Sequence, residues 1–122
     1  MHKYKQAIMD KQTLTREITE LHAELCSALA DPNRLLLLYA LVEGPRTVGD
    51  LANTVGISQP TASRHLKTLR DSGLVRPERQ GASVEYSIVD QRLIEALDLL
   101  REVLRRRLMY RASLVDEGLQ PV

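Results

Sequence analysis

The stretch ISQPTASRHLKTLRDSGLV, residues 57–75, predicts a helix that is apolar on one side and cationic on the other. Ser58 is a favourable N-cap, and Pro60 is tolerated in the first turn because its missing N–H is not needed there. Gly73 suits the end of a helix, so we predict the helix over residues 59–71. At 100° per residue its apolar side chains share one side, and they are Ala62, Leu66 and Leu69.

The opposite side of this helix carries cations and short polar side chains, with a single acidic residue, Asp71, at the far end. Arg64 and Lys67 can bind phosphates or guanine edges, Gln59 can pair with adenine, and short hydroxyl side chains let a helix approach the major-groove floor. His65 lies on the boundary between the two sides, so it either contacts DNA or supports the helix. The residues of this segment predicted to contact DNA are Ser58, Gln59, Thr61, Ser63, Arg64, His65 and Lys67.

The preceding stretch TVGDLANTVG, residues 47–56, predicts a shorter helix. Thr47 and Asp50 have the spacing of a capping box, with Asp in place of the usual Glu. Gly56 can adopt the left-handed conformation that ends a helix. Because a tight turn then leads directly into the next helix, the pair predicts a helix-turn-helix, in which we expect Thr47 to hold a DNA phosphate.

The stretch LVRPERQGASVEYSIVD, residues 74–90, changes to a period of two, which is typical of strands. The alternating apolar residues of a half-buried strand are Val84, Tyr86 and Ile88. Gly81 marks the turn after a short strand near residues 74–76, and Pro77 confines that strand to an edge. Together these features predict a β-hairpin, or wing. The wing residues predicted to contact DNA are Arg79 and Gln80.

Two amphipathic helices are predicted on either side of this region. Over residues 10–30 the apolar residues alternate four and three apart, and they are Leu14, Ile18, Leu21, Leu25 and Ala28. Asp90 suits the N-cap of a long helix whose leucines again share one side, and they are Leu93, Leu97, Leu100, Leu104 and Leu108. Both stripes are longer than a compact core needs, so we expect pairing with a second copy; the alternative is packing within one chain.

One further helix is predicted within ADPNRLLLLYALVEGP, residues 30–45. Asp31 suits its N-cap and Pro32 its first position, while Gly44 and Pro45 suit its end. Because LLLLYALV is apolar all round, we expect this helix to be central in the core.

The amino-acid composition limits the classes of protein to which this chain can belong. The 122 residues suffice for one domain, and the absence of Phe and Trp favours helices with leucine stripes. The net charge of +1 does not indicate nucleic-acid binding by itself, but residues 58–86 carry five cations against three anions. No apolar run approaches the roughly 18 residues of a membrane span, and no signal-peptide core is visible. The single cysteine, Cys26, excludes an internal disulfide. We therefore expect a cytoplasmic protein without membrane contact.

Residues 29–88 resemble the ArsR/SmtB family of winged-helix repressors. The segments that carry the resemblance are LADPNRLLLLYAL, TVGDLANTVGISQPTASRHLKTLRDSGLV and RQGASVEYSI. The resemblance implies a mainly α (α+β) winged helix-turn-helix fold of order ααααββα, dimerising through the first and last helices. It also implies that the fourth helix reads an inverted-repeat operator in double-stranded DNA, and that an inducer lowers the affinity for it.

This resemblance predicts a single domain over residues 1–122. Within it we expect an N-terminal dimerisation helix over 10–30, a DNA-binding core with wing over 31–89, and a C-terminal dimerisation helix over 90–112. Residues 113–122 are predicted to form a frayed tail.

The familiar metal sites of the family are missing from this sequence. Many members bind soft metals through paired cysteines in the third helix, where this chain has VGDLANTVG; others bind zinc through Asp and His in the last helix, which here lacks His. No metal site is therefore predicted, and cofactors stay unknown. The weak candidates are His22 and Cys26, which share one helix face. The alternative is that Cys26 is a small buried hydrophobe. A metal, an oxidant or a sulfur species all remain open as the small effector.

Nothing in the sequence assembles into catalytic machinery. Glycine-rich phosphate loops, nucleophile elbows and metal-hydrolase spacings are all missing, so we predict that the protein is not an enzyme. The predicted function is a sequence-specific DNA-binding transcriptional regulator, a homodimeric repressor released by an effector or redox signal. The alternative is a winged-helix module that binds protein instead of DNA.

Overall fold

The computed structural model describes residues 10–116 and 118, which form two compact units divided between Val89 and Asp90. The order of elements agrees with the predicted ααααββα, with one short additional strand. Within the described part of the chain, no helix is long and apolar enough to cross a membrane. Residues 1–9, 117 and 119–122 lie outside this description, and with them the ends of the predicted domain.

In the first unit, the first helix within the described residues is α1, which has three consecutive segments. These are α-helical Lys11–Arg16, π-helical Glu17–His22 and α-helical Ala23–Ala28. The Asp10 carboxylate caps the helix by accepting the Thr13 backbone N–H, and hydrogen bonds from Thr13 lower the pKa of Asp10. Of the predicted seam, Ala28 is buried, whereas Ile18 and Leu21 are 50% and 60% exposed. The predicted helix is therefore present, and part of its apolar seam is exposed in a single chain.

Helix α2 comprises Pro32–Ala40, and Asp31 caps it as predicted. Its core residues, together with the residue that follows the helix, are Leu37, Leu38 and Leu41. The LLLLYALV run is not buried all round, however, because Leu36 is 51% exposed and Val42, which follows the helix, is 41% exposed. A helix of this length packs along one side only. It also ends before Gly44, because the chain leaves helical geometry in turns over residues 41–43.

Helices α3 (Val48–Val55) and α4 (Gln59–Asp71) form the predicted helix-turn-helix. The Thr47 and Ser58 hydroxyls cap the two helices, as the sequence indicates. Gly56 ends α3 at a φ of 84°, the left-handed region that glycine adopts without a Cβ clash. Helices α2, α3 and α4 contact one another through a shared set of buried side chains, which in α3 and α4 are Leu51, Ala52, Ala62, Leu66 and Leu69.

A three-stranded antiparallel sheet completes the first unit. Its strands are β1 (Arg46–Thr47), β2 (Val75–Gln80) and β3 (Ser83–Ile88), in the order β1-β3-β2. The β2–β3 hairpin is the predicted wing, and it turns at Gly81, whose φ is 64°.

Two details of the sheet differ from expectation. Strand β2 extends well beyond the predicted residues 74–76, because all of its residues pair with β3. Pro77 lies within this strand and has no backbone N–H to donate. Because β2 is an edge strand, no further strand lies on its outer side to need that hydrogen bond. Strand β1 was not predicted, because two residues carry no periodicity and their partners Tyr86 and Glu85 are distant in sequence.

The second unit is helix α5, Arg92–Asp116. Asp90 caps it as predicted, with Oδ1 accepting the Arg92 backbone N–H at 3.0 Å. The side chains of Ile94 and Leu97 are buried. The helix extends through Asp116, beyond the boundary at residue 112 expected for the C-terminal dimerisation helix, and residues 117 and 119–122 of the predicted frayed tail lie outside the described residues. Leu114 is only partly exposed, consistent with that continued order.

Candidate nucleic-acid interface

Helix α4 separates its side chains as sharply as the sequence predicts. Its apolar side is fully buried, with Ala62, Leu66 and Leu69 each 0% exposed. We define the cationic face of α4 as the exposed residues Gln59, Pro60, Ser63, Arg64 and Lys67. Because the apolar side anchors the helix in the core, the cationic face must point to solvent, where it is available to a ligand.

A chain of side-chain hydrogen bonds links the cap of α4 to its central arginine. The Ser58 hydroxyl donates to Thr61 Oγ1 at 2.8 Å and also accepts the Thr61 backbone N–H at 3.3 Å. Arg64 Nη2 donates to the same Thr61 Oγ1 at 3.2 Å. The guanidinium is therefore held near the N-terminal half of α4, the half that usually enters the major groove. Its remaining N–H groups are free to bind another group, since a guanidinium carries five.

Lys67 is engaged more loosely than Arg64. Its Nζ lies 3.1 Å from Asp71 Oδ2, with the two side chains 68% and 57% exposed. Exposed i,i+4 ion pairs contribute only about 0.3–0.5 kcal/mol. A phosphate can therefore compete with Asp71 for this ammonium group.

The N-termini of α3 and α4 meet around Gly49. A Cβ at Gly49 would lie 3.9 Å from Thr47 Oγ1 and 4.0 Å from Gln59 Oε1. Thr47 and Gln59, predicted separately to contact DNA, therefore both place a polar atom beside Gly49. Free backbone N–H groups and the helix dipole make the start of a helix favourable for a phosphate.

His65 lies away from the cationic face. Its side chain is 17% exposed, with Nε2 3.9 Å from Asp31 Oδ1 and Nδ1 3.3 Å from Arg34 Nη1. Of the two predicted roles, the structure therefore favours support of the helix over contact with DNA. The sequence did not single out Arg34, although a lone arginine in the otherwise apolar run of α2 was the available signal.

The wing places its predicted residues near the hairpin turn. Arg79 and Gln80 are exposed at the end of β2, and Gln80 pairs with Ser83 across the strand. The Ser83 hydroxyl donates to the Gln80 carbonyl at 3.2 Å, which fixes the tip of the hairpin. The cations of residues 58–86 are all exposed, and they are Arg64, Lys67, Arg70, Arg76 and Arg79.

The weak metal candidates belong to no metal-binding group among the described residues. His22 and Cys26 are both exposed, and the described residues contain no group of three His, Cys, Asp or Glu side chains that could hold a metal ion. The interpretation of Cys26 as a small buried hydrophobe is wrong for the single chain, because its side of α1 is not covered.

A family model described as "Bacterial regulatory protein, arsR family" matches residues 31–76. Among curated proteins, the Biofilm growth-associated repressor of Xylella fastidiosa is 34% identical over 92 residues, covering 75% of this chain and 80% of the relative. The chain belongs to the arsR family. NmtR of Mycobacterium tuberculosis, an HTH-type transcriptional regulator, is 42% identical over 76 residues, covering 62% of this chain and 63% of NmtR. The match thus spans slightly less than two thirds of NmtR.

Solved structures agree with this arsR-family membership. The homodimeric winged helix-turn-helix DNA-binding domain of Mb0332 from Mycobacterium bovis superposes with a TM-score of 0.70 at 29% identity, covering 79% of this chain and 89% of that domain. The predicted winged helix-turn-helix fold is therefore confirmed. The arsR family consists of transcriptional regulators, which are not enzymes. Membership supports the predicted DNA-binding regulator over the alternative of a protein-interaction module.

Proposed function

We propose that this protein is a homodimeric repressor that binds an inverted-repeat operator in double-stranded DNA through the cationic face of α4. The observation that carries the proposal is the contrast between the two sides of α4. Three apolar side chains at 0% exposure anchor it, while Arg64 and Lys67 are exposed. A generic surface helix mixes acidic and basic residues, whereas here Asp71 is the one acidic residue and lies at the far end.

The side chains divide between reading bases and holding the backbone. Gln59, Thr61, Ser63 and Arg64 lie towards the N-terminal half of α4 and contact base edges. Lys67, Ser58 and Thr47 hold phosphates, which fix the register of the helix on the duplex. Arg79 and Gln80 contact an adjacent backbone or minor groove from the wing. His65 is left out of the DNA contacts, because it faces Asp31 and Arg34.

Dimerisation through α1 and α5 is supported by the apolar surface that each helix leaves exposed. In α1 this surface includes Ile18 and Leu21; in α5 it includes Leu100, Leu104 and Leu108 at 54%, 44% and 63% exposure. Contiguous exposed apolar surface on a helix marks an interaction site. A two-fold dimer places two copies of α4 about one DNA turn, roughly 34 Å, apart, which matches an inverted repeat.

Release from the operator requires a signal that favours a dimer geometry unsuited to DNA. A small effector, either a metal ion or a redox-active species, achieves useful regulation if it biases the two geometries by about 1–3 kcal/mol. One chain contributes two ligands, His22 and Cys26, so a four-coordinate metal held by these residues alone would need both copies. Derepression assays with metals, oxidants and sulfur species, repeated with Cys26→Ser, test this part of the proposal. A repressor of this kind acts in the cytoplasm, with the DNA.

The direct test is selection of duplexes from a random pool, followed by gel-shift titration of the best sequence across salt concentrations. We expect the selected sequence to be an inverted repeat. We also expect the affinity to fall steeply with salt. The logarithm of the binding constant, plotted against the logarithm of the salt concentration, should have a slope of about −0.9 for each phosphate neutralised. Failure to bind any duplex at low salt would sink the proposal and favour a protein-binding module.

A further inference from the structure

Arg34 connects the end of α1 to the middle of α4. Its Nε donates to the Ala28 carbonyl at 2.5 Å and its Nη2 to the Ser27 carbonyl at 3.1 Å. Its Nη1 lies 3.3 Å from His65 Nδ1. The last carbonyls of a helix lack intrahelical partners and carry the negative end of the helix dipole, so a guanidinium is well suited to bind them.

His65 receives this contact in a defined orientation. A guanidinium can only donate, so Nδ1 must accept and the ring hydrogen lies on Nε2. Nε2 faces Asp31 Oδ1 at 3.9 Å, and the same Asp31 oxygen accepts the Asn33 backbone N–H at the cap of α2. Both ring nitrogens therefore face α2 and its cap, which fixes the rotation of the ring.

The remaining side-chain hydrogen bonds of α4, within residues 10–116, stay inside the helix and its cap. They join Ser58 to Thr61, Thr61 to Arg64, Lys67 to Asp71 and Thr68 to the Arg64 carbonyl. The anchoring leucines contribute apolar contact, which is not directional. The contact between Arg34 and His65, which we call the tie, is directional, and His65 is next to Arg64 in the chain. The tie is therefore suited to fix how far α4 is rotated about its axis.

We propose that Arg34 and His65 are positioning residues that set the rotation of α4 against the end of α1 and thereby determine discrimination between the operator and other DNA. This inference rests on the proposed DNA-binding function. A small rotation of α4 displaces Arg64 from a base edge, where geometry is strict, but leaves it within reach of phosphates. Loss of the tie therefore weakens operator binding more than binding to unrelated DNA.

The test compares the full-length protein with His65→Leu, which removes the acceptor, and with His65→Asn, whose amide oxygen can occupy the position of Nδ1. Each is titrated against the duplex selected by the wild-type protein and against a random duplex of equal length. We expect His65→Leu to bind the operator about tenfold more weakly, with less than about a twofold change on random DNA. We expect His65→Asn to restore most of the operator affinity. Equal losses on both duplexes, or identical behaviour of Leu and Asn, would overturn the proposal.

A double-mutant cycle and a measurement without DNA complete the test. In Arg34→Met combined with His65→Leu, the operator affinity should be no lower than in Arg34→Met alone, because both changes break the same tie. Additive losses would contradict this. Amide hydrogen exchange of α4 in the free protein should be faster in Arg34→Met and His65→Leu than in His65→Asn. If the exchange rates of α4 are the same in all variants, the tie does not exist, whether or not the wild-type protein binds DNA. If His65→Leu does not fold, the comparison of Arg34→Met with His65→Asn tests the tie instead.

Discussion

Arg64 Nη2 and Thr61 Oγ1 lie 3.2 Å apart on the exposed side of α4, and Thr61 Oγ1 also accepts the Ser58 hydroxyl at 2.8 Å. The cap of the helix is thus connected to the side chain that we expect to read bases. Holding a long arginine in place before binding reduces the conformational entropy lost when DNA is bound. Ser58 and Thr61 therefore contribute to recognition through Arg64, in addition to any contact of their own.

Replacing Thr61→Val tests this connection, because valine keeps the shape and removes the acceptor. We expect operator affinity to fall by about 1 kcal/mol per protomer, the usual net contribution of one hydrogen bond. Thr68→Val is the matched control, since the Thr68 hydroxyl donates to the Arg64 carbonyl and not to its guanidinium. Fluorescence anisotropy with the selected duplex measures both. Equal affinities for the two variants would show that Thr61 does not position Arg64.

Arg64→Ala and Lys67→Ala should have different effects. Loss of Arg64 should cost about 1–3 kcal/mol and relax the base preference at one position in each half-site. Loss of Lys67 should weaken binding to all duplexes similarly. It should also reduce the salt dependence of the affinity, in the logarithmic plot, by a slope of about 1 per protomer. Titration of single-base operator variants across salt concentrations separates the two effects. If both variants bound like the wild-type protein, the assignment of the cationic face would be wrong.

Asp71→Asn should strengthen DNA binding. The Asp71 carboxylate holds Lys67 Nζ at 3.1 Å and places negative charge near the duplex. Its removal frees the ammonium group, so we expect an increase of about twofold to fivefold for operator and random DNA alike, diminishing at high salt. Asp50→Asn, in the first turn of α3, is a control for loss of an acidic residue elsewhere in the helix-turn-helix. Weaker binding by Asp71→Asn would indicate that the pair stabilises α4 instead.

Leu104→Gln should weaken the dimer. Leu104 is 44% exposed in one chain. A two-fold interface would bury this side chain in both copies, so its contribution to the free energy of dimerisation is doubled. We expect a loss of about 2–4 kcal/mol in dimerisation, measured by sedimentation equilibrium. Glu102→Gln introduces the same side chain on the opposite side of α5 and should leave the association unchanged. If Glu102→Gln weakened dimerisation and Leu104→Gln did not, the interface would lie on the other side of the helix.

The cap of α5 should give one pH-dependent contribution to stability. Hydrogen bonds from the Arg92 side chain and backbone lower the pKa of Asp90 from 3.8 to about 2. Because this pKa is lower in the folded state, the stabilisation is complete above about pH 4 and is lost as the pH falls through about 2. Carboxyl-carbon NMR titration measures the pKa directly. Asp90→Asn should remove this acid-dependent component, so that stability between pH 5 and 8 falls by a constant amount and the loss below pH 4 disappears; an Asp90 pKa near 3.8 would contradict the contact.

Local signals in the sequence predicted the parts of the fold that depend on local physics. Thr47 and Ser58 cap their helices, Gly56 takes the left-handed conformation, and α4 occupies the residues assigned to it. Each of these features is decided within a few residues. The side chains of α4 separate as the helical period requires, so the cationic face was also visible in advance.

Features that depend on distant residues were missed. Strand β1 exists because β3 offers it hydrogen-bond partners, and two residues cannot signal that pairing. The contact of Arg34 with His65 joins residues 31 positions apart, so no local pattern indicates it. The π-helical segment Glu17–His22 has no recognisable local signature either. The proposed covering of the α5 leucines by a second copy depends on contacts between chains, which a single sequence does not describe.

The most direct test of the central claim is an NMR titration of the isotope-labelled full-length protein with the selected operator duplex. We expect the largest backbone amide shifts in residues 59–67, with a second group at residues 79–83 in the wing. Binding that left residues 59–67 unshifted, or that centred its changes on α5, would contradict the claim that the cationic face of α4 enters the DNA groove.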